Sequence, residues 1–244
     1  MIWAPRAVDH PVKVEIWSDI VCPWCYIGKR RFEAALAEFP HRDQVQVVWR
    51  AFELDPHEPA VRSGDYAERL AQKYGVPVPE AQEMIDRMTA AAAGEGLTFR
   101  FDIARPGNTF DAHRLLHLAA ARGIQDALNE RMLAATFIEG RPIGDRDTLV
   151  QLAADAGLDP DEALSVLDSA AYAAEVRADE AEARAYGITG VPFFVLDETY
   201  GLSGAQPAHV LRTMLDQAWE ETHPMVVMAG EGEAPGCDGD TCAV

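Results

Sequence analysis

The sequence predicts an α/β protein whose single sheet is interrupted by a large all-helical insertion. Three observations carry this. An extended apolar run at 12–17 leads into a helical pattern that opens on Cys22-Pro23-Trp24-Cys25. A long Ala-rich, Gly-punctuated helical stretch follows, and strand character returns only at 191–196. With 244 residues, 48% hydrophobic and 25% charged, the chain has the makings of a packed core and suits one domain with an insertion, or two small ones.

The elements follow in order. Val12-Lys13-Val14-Glu15-Ile16-Trp17 reads as a strand. Pro23 falls at the first helical position, where a missing N–H costs nothing. Phe32, Ala35, Leu36 and Phe39 recur at i, i+3, i+4 and i+7, so a helix with one buried face is expected over 23–38, ended by Pro40. Val45-Gln46-Val47-Val48-Trp49 is a second strand, and the βαβ unit should cross over right-handed.

From about 65 to 187 the pattern is helical, with five to seven helices and glycines such as Gly75, Gly123, Gly140 and Gly187 placed as C-caps. Asp65 with Glu68 resembles a capping box, and Asp145 or Asp147 is placed to cap a later helix. No repeat of fixed period appears, which argues against a solenoid. Val191-Pro192-Phe193-Phe194-Val195-Leu196, a turn at Asp197-Glu198, a short run at 200–202 and a helix over 207–221 complete the pattern.

The first βαβ unit alone has too few strands to form a covered sheet, so the flanks of the helical block are expected to share one. This gives a sheet domain of 12–60 and 188–221, an insertion of 61–187, and a tail of 222–244. The tail's composition predicts a flexible linker carrying a second dithiol, Cys237 and Cys242.

Forty acidic against twenty-one basic residues give a net charge of −19, which disfavours nucleic acid as a partner. The first ten residues lack the apolar core of a secretory signal, and no segment approaches about 18 consecutive apolar residues, so no membrane association is expected. All four cysteines sit in two tight pairs rather than scattered as a disulfide framework, which fits a reducing, cytoplasmic setting.

Two thiols at i and i+3 on the first turn of a helix satisfy the Cα separation of roughly 4.4–6.8 Å that a disulfide needs. The unpaired N–H groups and positive dipole end of that turn face the first sulfur and favour its thiolate. Cys22 is therefore the expected nucleophile, and Cys25, less exposed, the thiol that resolves the mixed disulfide. A lone CxxC is also half a zinc site, and context must decide. In Gly190-Val191-Pro192-Phe193-Phe194, Pro192 opens a strand and is a candidate for a cis bond. Such a bond would present the Val191 backbone to an extended substrate.

Taken together, Ser18-Asp19-Ile20-Val21-Cys22-Pro23-Trp24-Cys25-Tyr26-Ile27-Gly28, Arg105-Pro106-Gly107-Asn108-Thr109 with Ala112-His113-Arg114-Leu115, and Gly190-Val191-Pro192-Phe193-Phe194 resemble the FrnE-type, DsbA-like oxidoreductases of the thioredoxin fold. The resemblance covers about 12–221. It implies a thioredoxin-like fold with a helical insertion, thiol–disulfide exchange at Cys22 and Cys25, and a substrate groove shaped by Val191, Pro192 and Trp24. It also implies disulfide-containing protein or peptide substrates, with glutathione or a thioredoxin-type donor supplying electrons and no cofactor. A related branch, the glutathione-dependent hydroxychromene-carboxylate isomerases and kappa-class transferases, typically has Ser at the position of Cys22. A holdase-like chaperone is a third reading of the same chain.

Roughly 14 linker residues before Cys237 have an rms span of about 20 Å, enough to reach Cys22 on a domain of this size. Exchange between the two dithiols is the expectation, with an inert tail or a zinc clip as the alternatives. The scattered histidines make no metal-ligand spacing. Glu15 and Asp19 are expected to be solvated, a proton-relay role under the dithiol being the alternative. Asn108, His113 and Arg114 are expected to cap a helix and make surface contacts, and Arg50 and Phe52 to line the groove.

Overall fold

The computed structural model describes residues 11–61 and 64–224. Four strands form one mixed sheet in the order β2-β1-β3-β4. β1 (Val12–Ser18) and β2 (Val45–Ala51) are parallel, with Val12 opposite Val45 and Ser18 opposite Ala51. A parallel pair needs a crossover rather than a hairpin, and α1 (Pro23–Glu38) supplies it. β3 (Phe193–Leu196) pairs antiparallel with the other edge of β1, placing Phe194 opposite Ile16, then turns into β4 (Tyr200–Ser203). The sheet is thus shared across the helical block, as expected from the flanking patterns.

Between β2 and β3 lie α2 (Tyr66–Tyr74), α3 (Val78–Gly94), α4 (Phe110–Ala121), α5 (Gln125–Ala134) with a π-helical turn at Ala135–Glu139, α6 (Arg146–Asp155), α7 (Pro160–Leu167) and α8 (Ala173–Ala185). α9 (Ala208–Thr222) follows β4. Asp65 caps α2 by accepting from the N–H groups of Ala67 and Glu68. Asp145, not Asp147, caps α6 through the N–H of Thr148. Among the described residues no helix is long and apolar enough to cross a membrane.

Alternation along β1 decides what each sheet face meets. Val12, Val14 and Ile16 pack with Phe32 and Ala35 of α1, with Phe39 at its C-cap, and with Leu211, Leu215 and Ala218 of α9. Trp17 turns the other way, onto Ala183, Ile188 and Val195, and its indole N–H donates to the Asp179 carbonyl of α8 at 2.9 Å. α1 has a second apolar side: Tyr26 and Ile27 join Ile85, Met88, Phe99 and Phe137 of the insertion. Each such fully buried side chain contributes roughly 1.5–3 kcal/mol. Because α1 belongs to both cores, its N-terminal turn is held at the seam between sheet and insertion.

Three expectations from the sequence are corrected here. Glu15 is 1% exposed, not solvated, because it accepts from the Arg50 guanidinium (Nε to Oε1 2.8 Å). Arg50 also reaches Asp179 Oδ1 at 2.9 Å, so it belongs to this ion cluster under the sheet rather than to a groove. Phe52 packs against the cluster of Trp17, Ala183, Ile188 and Val195 rather than lining the groove. Arg114 is not a surface contact either. It is 4% exposed and donates to the carbonyls of Val166, Ser169 and Ala171 at and after the end of α7, capping that helix from the side.

Candidate active site

Cys22 is the N-cap of α1, with extended φ and ψ of −97° and 111°, Pro23 at the first helical position and no carboxylate in the first turn. The loop closes through two backbone bonds, Cys22 N–H to the Asp19 carbonyl and Cys25 N–H to the Cys22 carbonyl, each 3.1 Å. Both thiols are free and buried, Cys22 at 5% and Cys25 at 1% exposure, so Cys25 is the less accessible of the two. Burial, then the hydrogen bond and charge of Cys22, push the Cys25 thiol well above its ordinary pKa, against smaller opposing contributions from the Asp19 backbone and the Ser18 hydroxyl. Cys25 therefore keeps its proton at neutral pH until something removes it.

Val191-Pro192 lies directly against this turn. The peptide bond is cis, and the Cys22 Sγ–H donates to the Val191 carbonyl at 3.5 Å. The approach is possible because residue 28 is glycine: a Cβ there would come within 2.9 Å of Pro192 Cγ, inside the contact distance that side chains keep. Trp24, between the cysteines, is 39% exposed.

Cys22, Trp24 and Val191 open onto a cleft of about 470 Å³, in the size range of small-molecule and peptide sites. Its opposite wall comes from the insertion: Tyr66, Arg69, Lys73 and Tyr74 of α2, Met84 and Met88 of α3, and Pro106, Gly107 and Thr109 before α4. Tyr66 packs on Phe101 with the rings tilted and their centroids 4.8 Å apart, and the Arg69 guanidinium lies 5.2 Å from the Tyr66 ring. Burial, then the neighbouring Cys22 charge, push the Tyr66 phenol above its ordinary value.

The loop before α2 is fixed by tight backbone packing. A Cβ at Gly107 or Gly144 would fall 2.0 or 1.8 Å from the Ala60 carbonyl oxygen. Asn108 donates from its backbone to Pro59 at 3.0 Å and from its side chain to Pro56 at 3.2 Å, and its Oδ1 accepts from Phe110 N–H at 3.0 Å, although the N-cap of α4 itself is Thr109.

Of the residues predicted for the site, the structure brings Cys22, Cys25, Trp24, Val191 and Pro192 together. Cys237 and Cys242 lie outside the described residues. Asp19 and His113, expected at the surface, are 0% and 2% exposed. Asp19 accepts from Leu54 N–H at 2.8 Å through one oxygen, and His113 Nε2 stands 3.4 Å from the other. The α2 and α3 wall was missed in the sequence. The 66, 70, 73, 74 spacing marks one face of a helix, but not that the face borders a cleft.

A family model described as DSBA-like thioredoxin domain matches residues 13–216. The chain is 51% identical to a "probable DsbA oxidoreductase" of Streptomyces coelicolor, whose crystal structure superposes with a TM-score of 0.83, covering 96% of this chain and 99% of that one. It is 31% identical over 193 residues to the uncharacterized protein YwbO of Bacillus subtilis, covering 77% of this chain and 88% of that protein. DsbM of Pseudomonas aeruginosa, a cytosolic disulfide reductase solved with GSH, shares the fold at 20% identity, with a TM-score of 0.59 over 84% of this chain and 98% of that one.

Proposed function

The chain belongs to the DSBA-like thioredoxin domain family and is a thiol–disulfide oxidoreductase; from that premise we propose that it exchanges disulfides with protein or peptide substrates through Cys22 and Cys25. The observation that carries this is the Cys22 sulfur at the head of α1, 3.5 Å from the Val191 carbonyl and opening onto the cleft. In the reducing direction the Cys22 thiolate attacks a substrate disulfide. A Cys22–substrate bond forms and the other substrate sulfur leaves. Cys25 then attacks the Cys22 sulfur, the Cys22–Cys25 bond forms, and the second substrate sulfur departs with the electron pair. The same steps run backwards, from a Cys22–Cys25 disulfide and a substrate dithiol, when that disulfide is the stronger oxidant.

An extended substrate fits beside Val191, whose backbone borders the cleft. Trp24 offers it an exposed aromatic face. A cysteine at position 22, where the isomerase branch typically has serine, favours disulfide exchange over an isomerase role. The GSH bound by DsbM supports a small thiol such as glutathione as the reductant, with a thioredoxin-type donor as the other source of electrons. The paired cysteines favour a reducing, cytoplasmic setting. Cys237 and Cys242 are assigned to exchange with the active pair. The cleft's aromatic and methionine wall supports a peptide substrate for an oxidoreductase of the FrnE type.

The test is trapping. Cys25→Ser incubated with an oxidised peptide should accumulate a covalent Cys22–peptide disulfide visible by intact mass, and Cys22→Ser should accumulate none. Equal labelling of both variants would overturn the assignment of Cys22.

A further inference from the structure

The wall of the cleft that the insertion supplies carries a hydroxyl group without a partner. Tyr66, the first residue of α2, lines the same cleft as Cys22, Pro23 and Val191. Its ring is held in place: Asp65 sets where α2 begins, Phe101 packs against the ring at a centroid distance of 4.8 Å, and the Arg69 guanidinium, three residues on, lies 5.2 Å from the ring centroid. A side chain fixed in this way loses little further freedom when it takes a ligand. Tyrosine hydroxyls inside a protein usually find a partner, and Tyr26, 1% exposed, gives its own to Glu130 at 2.6 Å. The Tyr66 hydroxyl makes no hydrogen bond among the described residues, Cys22 included.

The direction from which a disulfide can reach Cys22 is also fixed. The sulfur is backed by the Val191 carbonyl at 3.5 Å and by the first turn of α1, which leaves the cleft as the side of approach. Thiolate attack runs in line with the bond it breaks. With S–S bonds of about 2 Å, the displaced sulfur then stands roughly 4 Å beyond the Cys22 sulfur, out in the cleft that Tyr66 lines. That sulfur takes over the negative charge the Cys22 thiolate held. Burial, then the charge of Cys22, hold the Tyr66 phenol above its ordinary pKa, so beside a thiolate it keeps its proton and acts only as a donor.

We propose that Tyr66 is a catalytic residue of the exchange, its hydroxyl donating a hydrogen bond to the substrate sulfur that Cys22 displaces. The Cys22 thiolate forms a bond to the nearer substrate sulfur, the substrate S–S bond breaks, and its electron pair stays on the farther sulfur. The Tyr66 O–H bonds to that sulfur without transferring its proton, and water protonates the thiolate as it leaves. The more basic the displaced thiolate, the more it gains from the donor, so alkyl disulfides such as those of cysteine peptides are the substrates this contact serves.

The inference rests on Cys22 being the attacking thiol, and one assay separates the two. In a Cys25→Ser background the reaction stops at the mixed disulfide, whose formation is timed by acid quenching and intact mass. Two symmetric disulfides are compared: hydroxyethyl disulfide, which releases a basic alkyl thiolate, and a nitrobenzoate aryl disulfide, which releases a weakly basic one. Tyr66→Phe keeps the ring against Phe101 and removes only the hydroxyl. It is expected to slow adduct formation about tenfold with the alkyl disulfide, the worth of a hydrogen bond to a charged group, and about twofold or less with the aryl disulfide, whose thiolate departs readily unaided. A loosened cleft wall would slow both alike. Slowing factors that differ by more than about threefold support the contact, and factors closer than that overturn it while the exchange reading stands. Absence of any adduct in the Cys25→Ser protein that retains Tyr66 overturns both.

Discussion

Arg50 is the group whose removal should cost most for its size. It bridges Glu15, 1% exposed, and Asp179, 2% exposed, across β1, β2 and α8, and so ties the insertion's last helix to the sheet. Arg50→Met keeps the stem and deletes the charge, leaving two buried carboxylates with less compensation. Breaking a buried ion pair from one side typically costs about 3–5 kcal/mol, a large share of a total stability of about 5–15 kcal/mol. The Asp179 carboxyl fixes the pH dependence. Burial alone would raise its pKa, but the hydrogen bonds of His117 and the Ala51 N–H and the charges of His117 and Arg50 together hold it below the usual range. A depressed carboxylate adds stability above its unfolded pKa, about 3.9, and loses it as pH falls through the folded value. The cost of Arg50→Met should therefore be full at pH 7.5 and smaller near pH 4. Urea denaturation followed by circular dichroism at both values measures it. Adding Glu15→Gln should recover part of the loss at pH 7.5, since an amide needs no countercharge. A cost under about 1 kcal/mol, or one that grows toward pH 4, would refute the account.

Other outcomes are expected. Gly28→Val, whose Cβ alone would stand 2.9 Å from Pro192 Cγ, should displace Pro192 from α1 at an overpacking cost of about 1–3 kcal/mol. Insulin reduction per folded molecule should fall with it, and unchanged turnover would show that the contact does not hold the site. Asp65→Ala removes the two side-chain bonds that start α2 and should cost about 1 kcal/mol. It should also loosen the cleft wall, read as faster amide exchange across α2. Replacing Cys237 and Cys242 by serine should alter the redox titration of the whole protein. A superimposable titration with equal turnover would remove the tail from the exchange.

Much of the frame was legible because it is encoded between near neighbours. The 32, 35, 36, 39 spacing, Pro23 and Pro40 delimit α1 by local sterics and periodicity, and its observed ends are Pro23 and Glu38. Asp65 and Asp145 announce helix starts because a short acceptor must bond N–H groups two or three residues on. The two flanks of the insertion could be assigned to one sheet because neither is sufficient alone.

Charge burial was not legible in the same way. Glu15, Asp19, His113 and Arg114 look like surface residues in a strand, a loop and a helix start, because their partners arrive from 35 to 94 positions away. Burial of a charge depends on that distant partner, whereas an apolar residue's burial is announced by its own periodicity.

By itself, then, the sequence determined the strand–CxxC–helix unit and the strand that follows Pro192. Both rest on backbone geometry and on residues within a turn or two of one another. Only the tertiary structure decided that α2 and α3 wall the cleft, that Gly28 lets Pro192 reach α1, and that Asp19 and His113 are buried facing one another. Those features arise where the insertion meets the sheet, and the free energy of that seam is set by contacts between segments far apart along the chain.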